Sequence, residues 1–257
     1  MATPGPVRSG IRAAGSDVPA ATYAHPPLVE CWLETSFGTN SALIDADFAP
    51  IIARLGPEWP QRTLPRPATT DLRFSNTMGD RALHLSAQGF GFGWLGHSGE
   101  RYPRYEAVRD GFVAVLDLVR DVVQLRKGTF SLQTWSVHYL NRIPCGTVWS
   151  TADDWSFFAL WRPETLKSLG VDAVGAQGRW ELPLEGKRGR LTIQFRHDEV
   201  PSNGVCSVWI ELTASGHVDD SESSLFDGLD FGREVIVRSF NELVSADAKA
   251  YWDVADE

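Results

Sequence analysis

Apolar and polar positions alternate from Leu28 to Phe37 (LVECWLETSF), setting Val29, Cys31, Leu33 and Thr35 against Leu28, Glu30, Trp32 and Glu34, the period-two pattern of a half-buried strand. From Asp45 to Leu55 the spacing becomes that of a short helix, with Asp45 or Asp47 near its N-terminus. Pro57, Pro60, Pro65 and Pro67 then predict a connector without regular structure over Gly56–Pro67. Alternation returns in three short strands near Thr70–Ser75, Ala82–Ala87 and Gly89–Leu95, the first two joined by a turn at Met78-Gly79-Asp80. Tyr102-Pro103-Arg104-Tyr105-Glu106 opens a long helix, with Pro103 suited to its first turn. Along it Val108, Phe112, Val115, Leu116, Val119, Val122 and Val123 recur every three or four residues, while Asp110, Asp117, Arg120 and Asp121 fall largely on the other side.

The same order can be read again from Phe130 to Val244. Phe130–Ile143 (FSLQTWSVHYLNRI) is a long alternating strand, Asp153–Trp161 a short helix, and Pro163–Leu169 a further turn or two. Strands follow near Arg179–Pro183, Leu191–Arg196 and Val205–Thr213, and His217–Ser224 (HVDDSESS) reads as a solvated acidic loop. Asp227–Val244 is the second long helix, and Ser245 caps a last short turn carrying Tyr251 and Trp252. The expected fold is α+β: a duplicated β-α-β-β-β-α unit forming a curved antiparallel sheet with two long helices packed on one face. Residues 1–25 are expected as a flexible N-terminal tail, 26–128 as the first repeat and 129–257 as the second, fused into one pseudo-symmetric unit.

Composition narrows the class without naming an activity. With 43% hydrophobic and 22% charged residues, the chain reads as an ordinary globular protein, and no apolar run is long enough to span a bilayer. The N-terminus lacks the apolar core of a secretory signal, and Cys31, Cys145 and Cys206 are too few and scattered for a disulfide framework or a zinc site. A cytoplasmic location is expected. The net charge of −9 comes entirely from residues 128–257, which carry 11 Lys+Arg against 20 Asp+Glu. Such a balance argues against general nucleic-acid binding and favours a basic protein partner.

The motifs that suggest chemistry have blander readings. Gly91-Phe-Gly93-Trp-Leu-Gly96 satisfies G-x-G-x-x-G, but no β-α-β alternation surrounds it, so it reads as an aromatic strand with Phe90, Phe92 and Trp94 on one face. His197-Asp198-Glu199 lacks a second ligand pair at metal spacing, and reads as a strand-end charge cluster. His138 lies in a strand with no visible catalytic partner. Most of the ten tryptophans are expected in the core, although a sheet face lined by several would also make a ligand platform.

Four segments together carry a resemblance. Pro26-Pro27-Leu28-Val29-Glu30, Tyr102-Pro103-Arg104-Tyr105-Glu106 with Phe112, Tyr139-Leu140-Asn141-Arg142-Ile143, and a C-terminal stretch with Phe240, Leu243 and Trp252 resemble a sporadically distributed, uncharacterised bacterial protein family. Its patchy occurrence is similar to that of defence-island and mobile-gene passengers, and no catalytic residue is established for it to carry over. In element order alone, the expected sheet also resembles the TATA-binding-protein-like saddle, and a fold does not set a function.

The expectation is a non-enzymatic protein-interaction or sensor protein, serving a bacterial defence or toxin–antitoxin system, with a protein partner. The alternatives are a small-ligand-binding protein using an aromatic groove between sheet and helices, and an enzyme with a site near Tyr105, His138 and Arg142. Candidate binding residues are Tyr102, Arg104, Tyr105, Trp135, His138, Asn141 and Arg142. No catalytic residue, metal ligand or cofactor is singled out.

Overall fold

The alternation over LVECWLETSF forms strand β1 (Leu28–Phe37), whose Cys31, Leu33, Thr35 and Phe37 are buried while Glu30, Trp32, Glu34 and Ser36 face the other way. The computed structural model describes residues 23–38, 43–62, 72–96, 101–126, 128–151, 155–159, 175–198, 206–219 and 221–253. After β1 come α1 (Asp45–Leu55), β2 (Gln61–Arg62), β3 (Leu72–Ser75), β4 (Arg81–Ser86), β5 (Gly89–Leu95) and α2 (Tyr105–Leu125). Then follow β6 (Leu132–Pro144), β7 (Gln177–Pro183), β8 (Arg190–Asp198), β9 (Ser207–His217), α3 (Glu222–Leu243) and α4 (Ala246–Asp253).

The protein is α+β. Among the described residues nine strands make one sheet in the order β2-β3-β4-β5-β1-β6-β9-β8-β7, each antiparallel to its neighbours. Strands β1 and β6 pair at the centre and join the two halves, with Leu33 opposite Val137 and irregularities between Leu28/Glu30 and Ser36/Phe37. Helix α2 lies over β5 and β1, and α3 over β6 and β9, on the same side of the sheet. The core fills that side: Phe90 stacks on Phe112, and Val137, Ile210 and Leu212 are fully buried. No helix among the described residues is long and apolar enough to cross a membrane.

Glycine sets how closely the helices approach. Trp135 projects from β6 against α3, where a Cβ on Gly228 would fall 2.4 Å from the indole and one on Gly232 2.7 Å. Gly216 on neighbouring β9 presses on the same ring from the sheet, its added Cβ meeting Trp135 at 2.6 Å. Helix α2 repeats the device, Gly111 lying over Phe92 at 2.3 Å by the same measure. An indole gripped by three hydrogen-only positions explains why Trp135 is buried in the core.

Several boundaries differ from the sequence pattern. Gln61–Arg62 forms a short edge strand inside the proline-punctuated connector, pairing with Phe74 and Arg73; residues 63–71 lie outside the described chain. Helix α2 starts at Tyr105, because Arg104 adopts φ 79°, ψ 159° and excludes Pro103 from the helix. Of the helix expected at Asp153–Trp161, residues 155–159 form a turn, with the Phe158 amide donating to Trp155 O, while 152–154 and 160–174 lie outside the described residues. The acidic HVDDSESS stretch is shared between the end of β9 and the first turn of α3, where Ser221 Oγ accepts the Ser224 amide. Within the expected tail, residues 1–22 lie outside the description, whereas Tyr23 is buried against Phe240 and Trp252.

Replacing Gly228 by alanine gains about 1 kcal/mol of helix propensity but forces Trp135 from its seat, an overpacking cost of about 1–3 kcal/mol. G228A is therefore expected to lower the free energy of unfolding, and G228V to lower it further, as read by urea titration.

Candidate functional site

A cavity of about 160 Å³ opens on the helix side, at the end of the central strand pair where Leu28 of β1 lies opposite Asn141 of β6. Its walls come from segments far apart in the chain. Pro26 and Leu28 form one edge, Arg104, Tyr105 and Glu106 at the start of α2 another, and Arg233, Ile236, Val237 and Phe240 of α3 the third. Tyr102, Tyr139 and Asn141 form the base and Tyr23 closes the side. The lining is mainly apolar with a few convergent polar groups, as in small-molecule sites.

The polar groups are held by one another. The hydroxyls of Tyr102 and Tyr139 are 3.1 Å apart, and Tyr102 also donates to Cys31 Sγ at 3.7 Å. Burial raises all three acidities' pKa values: Cys31 is pushed from its ordinary 9.0 up to about 12, and the two phenols rise well above 10.0. All three are consequently protonated donors at neutral pH. Tyr105 donates to Asp230 Oδ1 at 2.8 Å, and Arg109 pairs with the same carboxylate at 3.2 Å, tying α2 to α3 beside the cavity. Tyr105 is raised by burial first and by this bond second. Asn141 Nδ2 donates to Ile210 O at 3.2 Å.

Two arginines border the space. Arg104 precedes α2 in a backbone region that is essentially reserved for glycine, a strain of about 1–3 kcal/mol that is typically found at functional sites. Its Nη1 donates to Tyr23 O at 3.4 Å. Arg233 stacks over the Tyr105 ring at 5.7 Å, and its Nε is buried without a hydrogen-bond partner.

Of the seven residues singled out from sequence, Tyr102, Arg104, Tyr105 and Asn141 meet at this cavity. Trp135 is in the core. His138 and Arg142 face the opposite side of the sheet, which no helix among the described residues covers: His138 Nδ1 lies 3.5 Å from Glu211 Oε1, and Arg142 Nε donates to Ser207 Oγ at 3.0 Å. Tyr105 is thus separated by the sheet from His138 and Arg142, so the three do not assemble one catalytic site. On that open face Trp209 lies between Arg142 and Arg196, whose guanidinium carbons are 5.5 and 5.4 Å from its ring. Gly91 and Gly93 lie in β5, antiparallel to both neighbours, where Trp32 and Glu34 cover them.

Sequence reasoning missed Arg233, Tyr139 and Tyr23 as lining residues. A signal existed for the first two. Tyr139 shares the alternation of Trp135 and Asn141, and Arg233 precedes Ile236, Val237 and Phe240 at helical spacing. His197, also considered, lies edge-on to Trp149 and Trp155. Among the described residues no three His, Cys, Asp or Glu side chains gather to hold a metal ion.

No family model matches the sequence, and no curated protein matches it. Among solved structures the chain is similar to Methanococcus jannaschii TBP, at 13% identity, over 84% of this chain and 98% of that one, with a TM-score of 0.26. A likeness that slight bears on neither fold nor function.

Two outcomes test the site. R104G is expected to raise the free energy of unfolding by about 1 kcal/mol, strain relief exceeding the added chain entropy; urea titration measures it. Because Cys31 and the phenols have raised pKa values, the folded chain holds more protons than the unfolded one above pH 9. Their contribution to stability is intact below pH 9 and is lost as pH rises towards 12, so unfolding titrations at pH 8 and 11 should diverge in that direction.

Proposed function

We propose that this protein is a non-enzymatic sensor that binds a small, largely apolar molecule in the cavity between the sheet and helices α2 and α3. One observation carries the reading: the four motif segments, otherwise remote in sequence, converge on this space, the C-terminal one through Phe240. Two of its thirteen lining residues come from Pro26-Pro27-Leu28-Val29-Glu30, four from Tyr102-Pro103-Arg104-Tyr105-Glu106 and two from Tyr139-Leu140-Asn141-Arg142-Ile143. Core packing alone gives no reason for such a convergence to enclose a void, nor for retaining a strained arginine at its edge. A pocket of about 150 Å³ is large enough for a benzene-sized ligand.

Membership in the sporadically distributed bacterial family and a role in defence or toxin–antitoxin systems belong to the same proposal and rest on the motif resemblance, and a cytoplasmic setting rests on the scattered cysteines and the N-terminal composition. Descent of the halves from one duplicated β-α-β-β-β-α unit belongs to it too, and rests on element order. The outward strand orders β1-β5-β4-β3 and β6-β9-β8-β7 support it, as does the placement of one long helix over each half. A protein partner is a second reading, favoured by the open sheet face with its half-buried Trp32 and Trp209. On that face the ligand site and the partner surface would lie on opposite sides of one sheet.

Native mass spectrometry of the untagged chain, purified from its own host, tests the ligand reading. A bound small-molecule mass is expected, and V237F, which fills the cavity from its rim, should lose it. Bare chain in both preparations, with no thermal shift of either by ring-sized fragments, would remove the reading.

A further inference from the structure

We infer that the cavity takes a small molecule with an apolar body and one anionic acceptor group, a carboxylate, seated against Arg233. The inference rests on the ligand-binding reading above and names the class of ligand. Its first ground is the sign of the polar groups around the space. The hydroxyl protons of Tyr102 and Tyr139 are engaged in the Tyr139–Tyr102–Cys31 chain, while Arg104 and Arg233 present guanidinium groups to the space. Against these stands one lining acid, Glu106, which is exposed at the mouth. Asp230 on α3, outside the lining, is held by Tyr105 and Arg109. The formal charge of the lining is therefore positive, two guanidiniums against one carboxylate.

The second ground is Arg233 itself. Buried nitrogens with protons are almost always paired in folded proteins, yet Arg233 Nε lies buried without a partner at the cavity wall. The Tyr105 ring at 5.7 Å constrains the guanidinium plane from one side. A carboxylate is the acceptor matched to a guanidinium in shape and charge, since two oxygens meet two N–H groups in one plane. The third ground is the remaining wall. Pro26, Leu28, Ile236, Val237 and Phe240 offer no polar atoms from their side chains, so everything in the ligand beyond the acceptor group must be apolar. At about 160 Å³ that body is a single ring or a short alkyl chain.

Isothermal titration of the full chain with phenylacetate and hexanoate, each against its neutral amide, tests this. The acids should bind at least tenfold tighter than the amides. R233M should abolish the preference while leaving amide binding intact, and V237F should weaken acids and amides alike. If R233M does not fold, R233K serves, with a reduced preference expected because a single ammonium cannot pair two oxygens in plane. Amides binding as tightly as acids, with V237F still blocking both, would overturn the anionic class and leave the cavity as a ligand site. Acid binding unaffected by V237F would place it elsewhere and overturn the inference. Absence of binding by any of the four probes would overturn it together with the ligand reading for molecules of this size.

Discussion

The pairing of β1 with β6 is the constraint from which the rest of the architecture follows. It makes one sheet of two halves, and it places α2 and α3 side by side over the seam. The helices run antiparallel, with Tyr105 near Asp230 and Arg120 near Glu222, and meet through these long polar side chains. Glycine lets each helix settle deeply onto its own half, Gly111 on Phe92 and Gly228 on Trp135. Where α2 begins and the strand pair ends, the seam is bordered by Tyr23, which packs on Phe240 and on Trp252 of α4. The cavity is the space left at that corner, lined by whatever the strand ends and helix turns present.

Much of this was legible because it depends on periodicity. Strand β1, α1 and β5 run between the residues that the pattern predicts, and the reading of Gly91-Phe-Gly93 as an aromatic strand agrees with its antiparallel neighbours. Boundaries set by single backbone choices were not legible. Nothing in Tyr-Pro-Arg-Tyr-Glu says that Arg104 takes a positive φ, so the helix seemed to start at the proline. The acidic stretch before α3 looked like loop because its charge hides Ser221 as a cap, although Ser221 and Ser224 stand at capping distance in sequence.

The site divides along the same line. Tyr102, Arg104, Tyr105 and Asn141 were found because they begin a helix or end a strand near the middle of the chain, where two halves must meet. His138 and Arg142 were grouped with them through sequence proximity, but alternation along β6 sends even and odd positions to opposite faces. Arg233 lies more than ninety residues beyond Asn141 in sequence, and only the folding of α3 over β6 brings it to the same space.

The ends of the sheet carry a consequence of their own. Strand β2 is two residues long, and β7 closes with Pro183 after exposed, ion-paired Arg179 and Glu181. Short, charged and proline-ended margins are poor templates for adding another backbone. Among the described residues, neither outer strand invites a foreign segment to extend the ladder. Growth of the ladder at either margin is thereby disfavoured, which guards the sheet against indiscriminate β-aggregation.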